Sequence, residues 1–369
     1  MSTRTGRGAM TVGVVAMAVT LAACGGGSQS GDKAGGAGKK KDLKIGLLLP
    51  EKQAARYEKS DKPLIEKMVG ELTSNKGQVI YANAEQDAAR QNQQVDDMIA
   101  KKVDALIIDA VDSKSIGGAI KKAKDAGIPV VSFDRLAEGP VDAYVSFDNE
   151  DVGHVQARAL LDKLGANAKD GQIVMMNGAR TDPNAAQFKK GAHTELDGKV
   201  NIGKEYDTKD WKAENAAANM RTAISALGKD KIIGVYSAND GLAGGVISAL
   251  KAAGVSKLPP VTGQDTDLAG VQRIVAGEQY MSVYKSYAEE SPIAAQMAVA
   301  LAKGQSVTPI ANSKTNSPTA SDIPTALVPV VAVIKENIRS TVISDGLYTI
   351  DEICTPKYKA ACKADGLLQ

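Results

Sequence analysis

From residue 43 onward the sequence repeats one unit: a short apolar run rich in β-branched residues, then a stretch with helical periodicity. No other feature constrains the fold as much, because alternating β and α segments give a mostly parallel sheet covered by helices. The strand-like runs are 43–49, 78–82, 105–109, 129–133, 143–147, 172–176, 231–236, 260–262, 280–284 and 328–333. VDALIIDA and IPVVSF are apolar at successive residues, the pattern of strands covered on both faces. Between them, 91–101 puts Val95, Met98 and Ile99 on one helical face, and 115–126 does the same with Ile116, Ala119, Ile120 and Ala123. Gly127, ahead of Ile128-Pro129, stops the second of these helices.

These units are many for one open sheet. They fit two doubly wound lobes, or a (β/α)8 barrel with additions. A chain of 369 residues exceeds what one hydrophobic core usually serves. The apolar run 328–333 follows a polar, Pro- and Ser-rich passage, 313–324, and reads as a late crossing between lobes. The expected fold is therefore α/β, two doubly wound parallel-sheet lobes joined by a hinge that the chain crosses several times. The first lobe is expected at 43–147 plus 287–323, and the second at 148–286 plus 324–369.

Ahead of the repeats lies a segment of another kind. Arg4 and Arg7 precede an apolar run, 9–21, that is too short to span a bilayer but suits a signal peptide. The run ends in Leu21-Ala22-Ala23-Cys24, which resembles a bacterial lipobox. The resemblance implies cleavage after residue 23 and a lipid on Cys24; the alternative is an ordinary signal with an incidental cysteine. Residues 24–42 are a Gly- and Ser-rich tether, whose 17 residues after Cys24 span about 20–25 Å. The expected location is extracytoplasmic, on the outer face of the cell membrane. The run Lys39-Lys40-Lys41 is either a headgroup contact or solvated linker.

Losing Arg4 and Arg7 takes the formal charge from +2 to zero, which gives no reason to expect nucleic acid or an anionic membrane as ligand. Aromatic residues are only 4%, so the ligand is expected to be small. A monomer without metal or cofactor is expected. Outside the cytoplasm, the two remaining cysteines, Cys354 and Cys362, read first as a disulfide. A metal site there is disfavoured, since neither His154 nor His193 is near in sequence.

In open α/β sheets, ligands bind just beyond the carboxyl ends of strands. The residues that follow the strands are polar. Arg56 and Tyr57 lie in the loop after IGLLLP, Asp134-Arg135 follow IPVVSF, and Asp182 and Asn184 follow QIVMMNGA. Asn239-Asp240 follow IIGVYSA, Gln264-Asp265 follow PPVTG, Lys285 follows MSVY, and Trp211, the one tryptophan, sits in a polar stretch. Carboxylates, amides and guanidinium forks exchange hydrogen bonds with hydroxyls, and a ring packs on the C–H face of a pyranose. Each residue also has a plain structural use: Asp134-Arg135 as a surface ion pair, Asn239 and Asp265 as helix caps, Trp211 as core. Composition and spacing stop at a small polar ligand.

Several strings carry a more specific likeness. They are Phe133-Asp-Arg135, Tyr144-Val-Ser-Phe-Asp-Asn-Glu150, Ser237-Ala-Asn-Asp-Gly241, Gly263-Gln-Asp-Thr-Asp-Leu-Ala-Gly270 and Val283-Tyr-Lys285. The chain resembles the ribose/galactose-type periplasmic binding proteins, and within them the xylose-binding group of bacterial ABC importers. The likeness implies the type I binding-protein fold and a cleft that closes on one monosaccharide, D-xylose first, which is then handed to an ABC transporter permease. It implies sugar ligands at Arg56, Asp134, Arg135, Asp182, Asn184, Asn239, Asp265 and Lys285, with Trp211 stacking and Tyr57 as a second ring. The loop Glu51-Lys-Gln-Ala-Ala55 departs most from the family pattern. Rival readings are a glycosidase using Asp134 or Asp265, a sugar-responsive regulator, the same fold on ribose, galactose or another pentose, and a receptor. Against the first stand the few aromatics and the lack of a Gly-x-Ser-x-Gly elbow; a regulator would need a DNA-binding helix pair where this chain has its signal and tether.

Overall fold

The structure, a computed structural model, describes residues 42–368. The signal (1–23), Cys24 and the tether through residue 41 lie outside the described residues. The first sheet begins with β1 (Lys44–Leu49), β2 (Gln78–Asn83), β3 (Ala105–Ile108), β4 (Val130–Phe133) and β5 (Ala143–Phe147). They are joined through α1 (Lys62–Leu72), α2 (Ala88–Ala100) and α3 (Gly117–Asp125). β1 lies between β2 and β3, and all three are parallel. The strand order therefore reverses beside β1, and such a reversal opens a crevice at the carboxyl ends. β3 and β4 are buried at every residue because helices cover both faces. α2 shows why the helices lie where they do. Asp87 caps it by accepting from Arg90 N (2.9 Å), and Gln91, Val95 and Met98 form its buried stripe.

The second sheet is built to the same plan. It contains β6 (Gln172–Asn177), β7 (Ile202–Asp207), β8 (Ile232–Ser237) and β9 (Ser282–Lys285). The helices are α4 (Asn149–Leu164), α5 (Pro183–Leu196), α6 (Ala213–Leu227), α7 (Asp240–Ala252) and α8 (Leu268–Val275). β6 lies between β7 and β8, and parallel bridges Val235–Val261 and Gln264–Val283 extend the sheet to β9. The run 260–262 thus contributes a bridge rather than a full strand. β7 was not expected from the sequence; its burial is only partial, so its apolar signal is weak.

The chain passes between the sheets three times. Asp148 ends β5 and caps α4, accepting from Asp151 N at 3.1 Å. After β9 the chain enters α9 (Tyr287–Ala302), whose Ala294, Ala295, Met297 and Ala298 join the core beneath β1, β3 and β4. The last crossing corrects the boundary read from the sequence at 323/324. The passage 313–324 lies within the first sheet. It is the hairpin of β10 (Ser313–Ser317) and β11 (Ala320–Val328), and β11 pairs with β5 from Thr325–Tyr144 to Val328–Phe147. β12 (Val330–Val333) pairs instead with β9. The switch falls at Pro329. The hairpin is polar because it is a solvated sheet edge, and that composition hid it.

The C-terminal segment packs Ile338, Val342, Ile353, Cys362 and Leu367 onto Val271, Ile274 and Val275 of α8. Two short helices, α10 (Ile350–Ile353) and α11 (Lys359–Ala364), are tied by a Cys354–Cys362 disulfide with Cα atoms 5.8 Å apart. Replacing both cysteines with serine is expected to lower stability by about 2–3 kcal/mol, the chain-entropy value for so short a loop. Urea denaturation of oxidised protein measures it, and no change in midpoint would contradict it.

Candidate functional site

The strand ends of the two sheets face each other. After β1, Glu51 folds its carboxylate back to accept from the backbone N–H of Gln53 and of Ala54 (3.0 Å), which turns the chain toward Arg56. Burial raises the Glu51 carboxyl, against those backbone donors. The Arg56 guanidinium is buried among three carboxylates. Nε donates to Asp61 Oδ2 (2.7 Å), Nη2 to Glu290 Oε2 (2.7 Å), and Nη1 to Asp134 Oδ2. It also lies 4.1 Å from the Tyr287 ring centroid. Nη2 reaches Asp61 Oδ1 as well (3.3 Å), so most of its donors serve the protein itself.

Asp134-Arg135 form no surface pair: both are buried and each has its own partners. Asp134 has φ +56°, a left-handed conformation that costs a non-glycine residue about 1–2 kcal/mol. Its carbonyl accepts from Tyr144 Oη (2.9 Å) and Ser146 Oγ (2.7 Å), which hold that turn. Burial would push its carboxyl up, but Arg56, Lys285 and Arg135 outweigh burial and hold it at about 2. Arg135 donates to Ala110 O (3.0 Å) and to Tyr57 Oη (3.4 Å), and its Nε lies 2.9 Å from Asp182 Oδ2.

The facing lobe supplies the rest. Asp182 caps α5, accepting from Asn184 N at 2.9 Å, and accepts from Trp211 Nε1 at 3.1 Å. Asn184 Nδ2 crosses the cleft to Asp134 Oδ1 (2.7 Å). Asn239 caps α7 through Leu242 N (2.9 Å) and also lines the cavity, so the structural use and the site coincide. Asp265 does not cap α8, whose N-cap position is Asp267. It is left-handed (φ +85°), its carbonyl accepts from Tyr287 Oη (3.0 Å), and its Oδ1 meets Lys285 Nζ at 2.9 Å. Burial would lower the Lys285 ammonium, but Asp265 and Asp134 outweigh it and the group is raised. Lys285 Nζ also stands 5.1 Å from the Phe147 ring centroid.

Trp211 follows β7 and meets Phe188 edge to face, with centroids 6.5 Å apart. Its ring lies so close over Gly178 that a β-carbon there would come within 2.0 Å of Cζ2 and 2.1 Å of Cη2. Gly178→Ala is therefore expected to expel the ring from the cavity wall and lower ligand affinity at least about tenfold, within the usual cost of overpacking. Trp211 is the one tryptophan, so a shifted emission spectrum reports the displacement. An unchanged spectrum would contradict it.

One cavity of about 40 Å³ is lined by all ten residues named from the sequence: Arg56, Tyr57, Asp134, Arg135, Asp182, Asn184, Trp211, Asn239, Asp265 and Lys285. Glu51, Ala54, Phe188 and Gln264 complete the lining. Glu51 obeys the same strand-end rule and was missed within the loop that departs from the family pattern. Phe188 lies one helical turn beyond Asn184, so it shares its face. Two buried acceptors in the lining, Asn184 Oδ1 and Gln264 Oε1, have no hydrogen-bond partner in the protein. Such an atom costs about 1–3 kcal/mol unless a ligand or water supplies the donor. Among the described residues, no cluster of His, Cys, Asp or Glu is arranged to hold a metal ion.

Two α/β lobes meeting along their strand ends, around a buried polar cavity walled by rings, make a cleft-type solute-binding protein. The chain belongs to the periplasmic binding protein family, whose domain matches residues 45–306. It is 36% identical over 319 residues to the D-xylose-binding periplasmic protein of Haemophilus influenzae, covering 85% of this chain and 92% of that protein. It is 35% identical over 319 residues to the D-xylose-binding periplasmic protein of Escherichia coli, covering 85% and 93%. An ABC transporter solute-binding protein from Clostridium phytofermentans, solved with bound β-D-glucose, is similar in structure at TM-score 0.76 and 28% identity. That match covers 84% of this chain and 99% of its own.

Proposed function

We propose that this chain is an extracytoplasmic solute-binding lipoprotein that captures one monosaccharide, D-xylose in preference to others, and delivers it to an ABC transporter permease. The observation that carries the reading is the pair of unpartnered buried acceptors, Asn184 Oδ1 and Gln264 Oε1, in a cavity otherwise built of bound charges. A sugar hydroxyl donates to such atoms without bringing a charge of its own. Trp211 and Tyr57 offer ring surface to the C–H groups, and Asp134, Asp182, Asn239, Asp265, Arg135 and Lys285 take the remaining hydroxyls. Arg56 acts mainly by fixing Asp134. The similarity to two D-xylose-binding proteins favours xylose, and the glucose complex of the structural relative keeps hexoses as the second reading.

Asp134, one of the residues a glycosidase reading would use, is unsuited to the acid's part. Each cation in the lining is tied to a carboxylate, and a carboxyl held at about 2, as in Asp134, is no general acid at neutral pH. The cycle is capture by closure. Groups from both lobes meet only in the closed form, and that difference lets a ligand shift the open–closed balance. The protein acts as a monomer, held to the membrane by a lipid on Cys24. Small-angle scattering tests closure: saturating D-xylose is expected to reduce the radius of gyration, and an unchanged radius would contradict it. Metabolic labelling with palmitate, lost in Cys24→Ser, tests the anchor.

A further inference from the structure

Asp109 is a carboxylate for which the cavity has no use. It directly follows β3, its side chain is wholly buried, and neither of its oxygens has a hydrogen-bond partner. Arg135 Nε lies 3.5 Å from its Oδ1. The same nitrogen lies 2.9 Å from Asp182 Oδ2. The rest of that guanidinium is fixed on its own lobe, by Ala110 O and the Tyr57 hydroxyl. One N–H therefore faces two carboxylates and bonds one. Asp109 belongs to the lobe of Arg135; Asp182 belongs to the other.

We propose that Asp109 is the open-state partner of Arg135: when the lobes part, Arg135 Nε exchanges Asp182 for Asp109, and closure on a ligand breaks that pair again. The inference rests on the cleft reading above. The exchange needs little motion, since closing 3.5 Å to bonding distance is a shift of less than about 1 Å. The groups that face Asp109 are Arg135 and Arg56, the carboxylates of Asp134 and Asp182, and the Tyr57 hydroxyl. In the closed form Arg135 Nε bonds Asp182, and Arg56 is shared among Asp61, Asp134 and Glu290, so neither cation hydrogen-bonds Asp109 there. Burial there holds its carboxyl well above the usual range, against Arg135. Asp109 thus opposes closure and favours the open form, keeping Arg135 oriented while the cleft is empty. It is a positioning residue that sets affinity without touching the ligand.

The test is Asp109→Asn, which keeps the shape and removes the charge. By calorimetry with D-xylose, the variant is expected to bind about three- to tenfold more tightly than wild type, because a closed state that was penalised is now more populated. Its ligand-free radius of gyration is expected to move toward the bound value. A static counter-ion would give the opposite sign, since its loss would loosen Arg135. Weaker or unchanged binding therefore overturns the proposal. Asp109→Ser gives the same readout if the asparagine variant fails to fold. Wild type that binds no monosaccharide defeats the cleft reading instead, so the two failures are distinguishable.

Discussion

Arg56→Met is expected to destabilise the protein by about 3–5 kcal/mol, the cost of removing one partner from a buried charge cluster. Arg56 is the cation that Asp61, Asp134 and Glu290 share, and the side chains of Asp61 and Glu290 have no exposed surface. Burial already holds both of those carboxyls above the usual range, with Arg56 the main opposing influence. Without it, only hydrogen bonds such as Ser291 Oγ to Asp61 Oδ1 (2.8 Å) remain. The loss has a predicted pH dependence. A carboxyl raised above its unfolded value takes up a proton on folding, so its penalty grows as pH rises. The gap between wild type and variant, measured by urea denaturation, is expected to be wide at pH 8 and narrower at pH 5. A loss under about 1 kcal/mol, or one independent of pH, would contradict this account of Arg56.

Asp134→Asn is expected to lower sugar affinity about a hundredfold or more, in line with the 2–5 kcal/mol typical of breaking a buried charged pair. Asparagine keeps the shape and tolerates φ +56°, so the change is one of charge. The wild-type carboxylate accepts from Arg56 Nη1 and Asn184 Nδ2 and faces Lys285 Nζ at 3.9 Å. An amide group there turns a donor toward donors, and the bond between the lobes weakens. In wild type the Asp134 carboxyl is depressed to about 2. Its contribution is therefore fully present above the ordinary aspartate range near 3.9, and is lost only as pH falls through about 2. Binding is expected to show no inflection from Asp134 between pH 8 and 4. Calorimetry checks both statements, and an affinity within about threefold of wild type would contradict the first.

The position of the cavity was legible because doubly wound sheets put their strand ends together, whatever the loops contain. Polar pairs such as Asp134-Arg135 and Gln264-Asp265 immediately follow apolar runs, and that order is visible in one dimension. Trp211 was reachable from its polar neighbours even though β7, the strand that carries it, was not. The supporting charges were not legible. Asp61 and Glu290 sit on or beside helices, where acidic residues are ordinary, and only the fold brings them to Arg56. Asp109 looks like the end of an apolar strand. Arg56 itself reads in the sequence as a ligand group, yet its donors are mostly turned inward. The crossing at Pro329 falls within the run 328–333 read as one, but the edge hairpin before it was hidden because a solvated sheet edge has the composition of a linker.

The central claim is a cleft that takes a neutral monosaccharide, and calorimetric titration of the purified protein tests it most directly. D-xylose, D-ribose, L-arabinose, D-glucose and D-galactose form the panel, with the emission of Trp211 followed in parallel. Saturable binding of D-xylose with one site per chain, tighter than for the other sugars and accompanied by a change at Trp211, is the predicted result. No binding heat with any of the five sugars would contradict it.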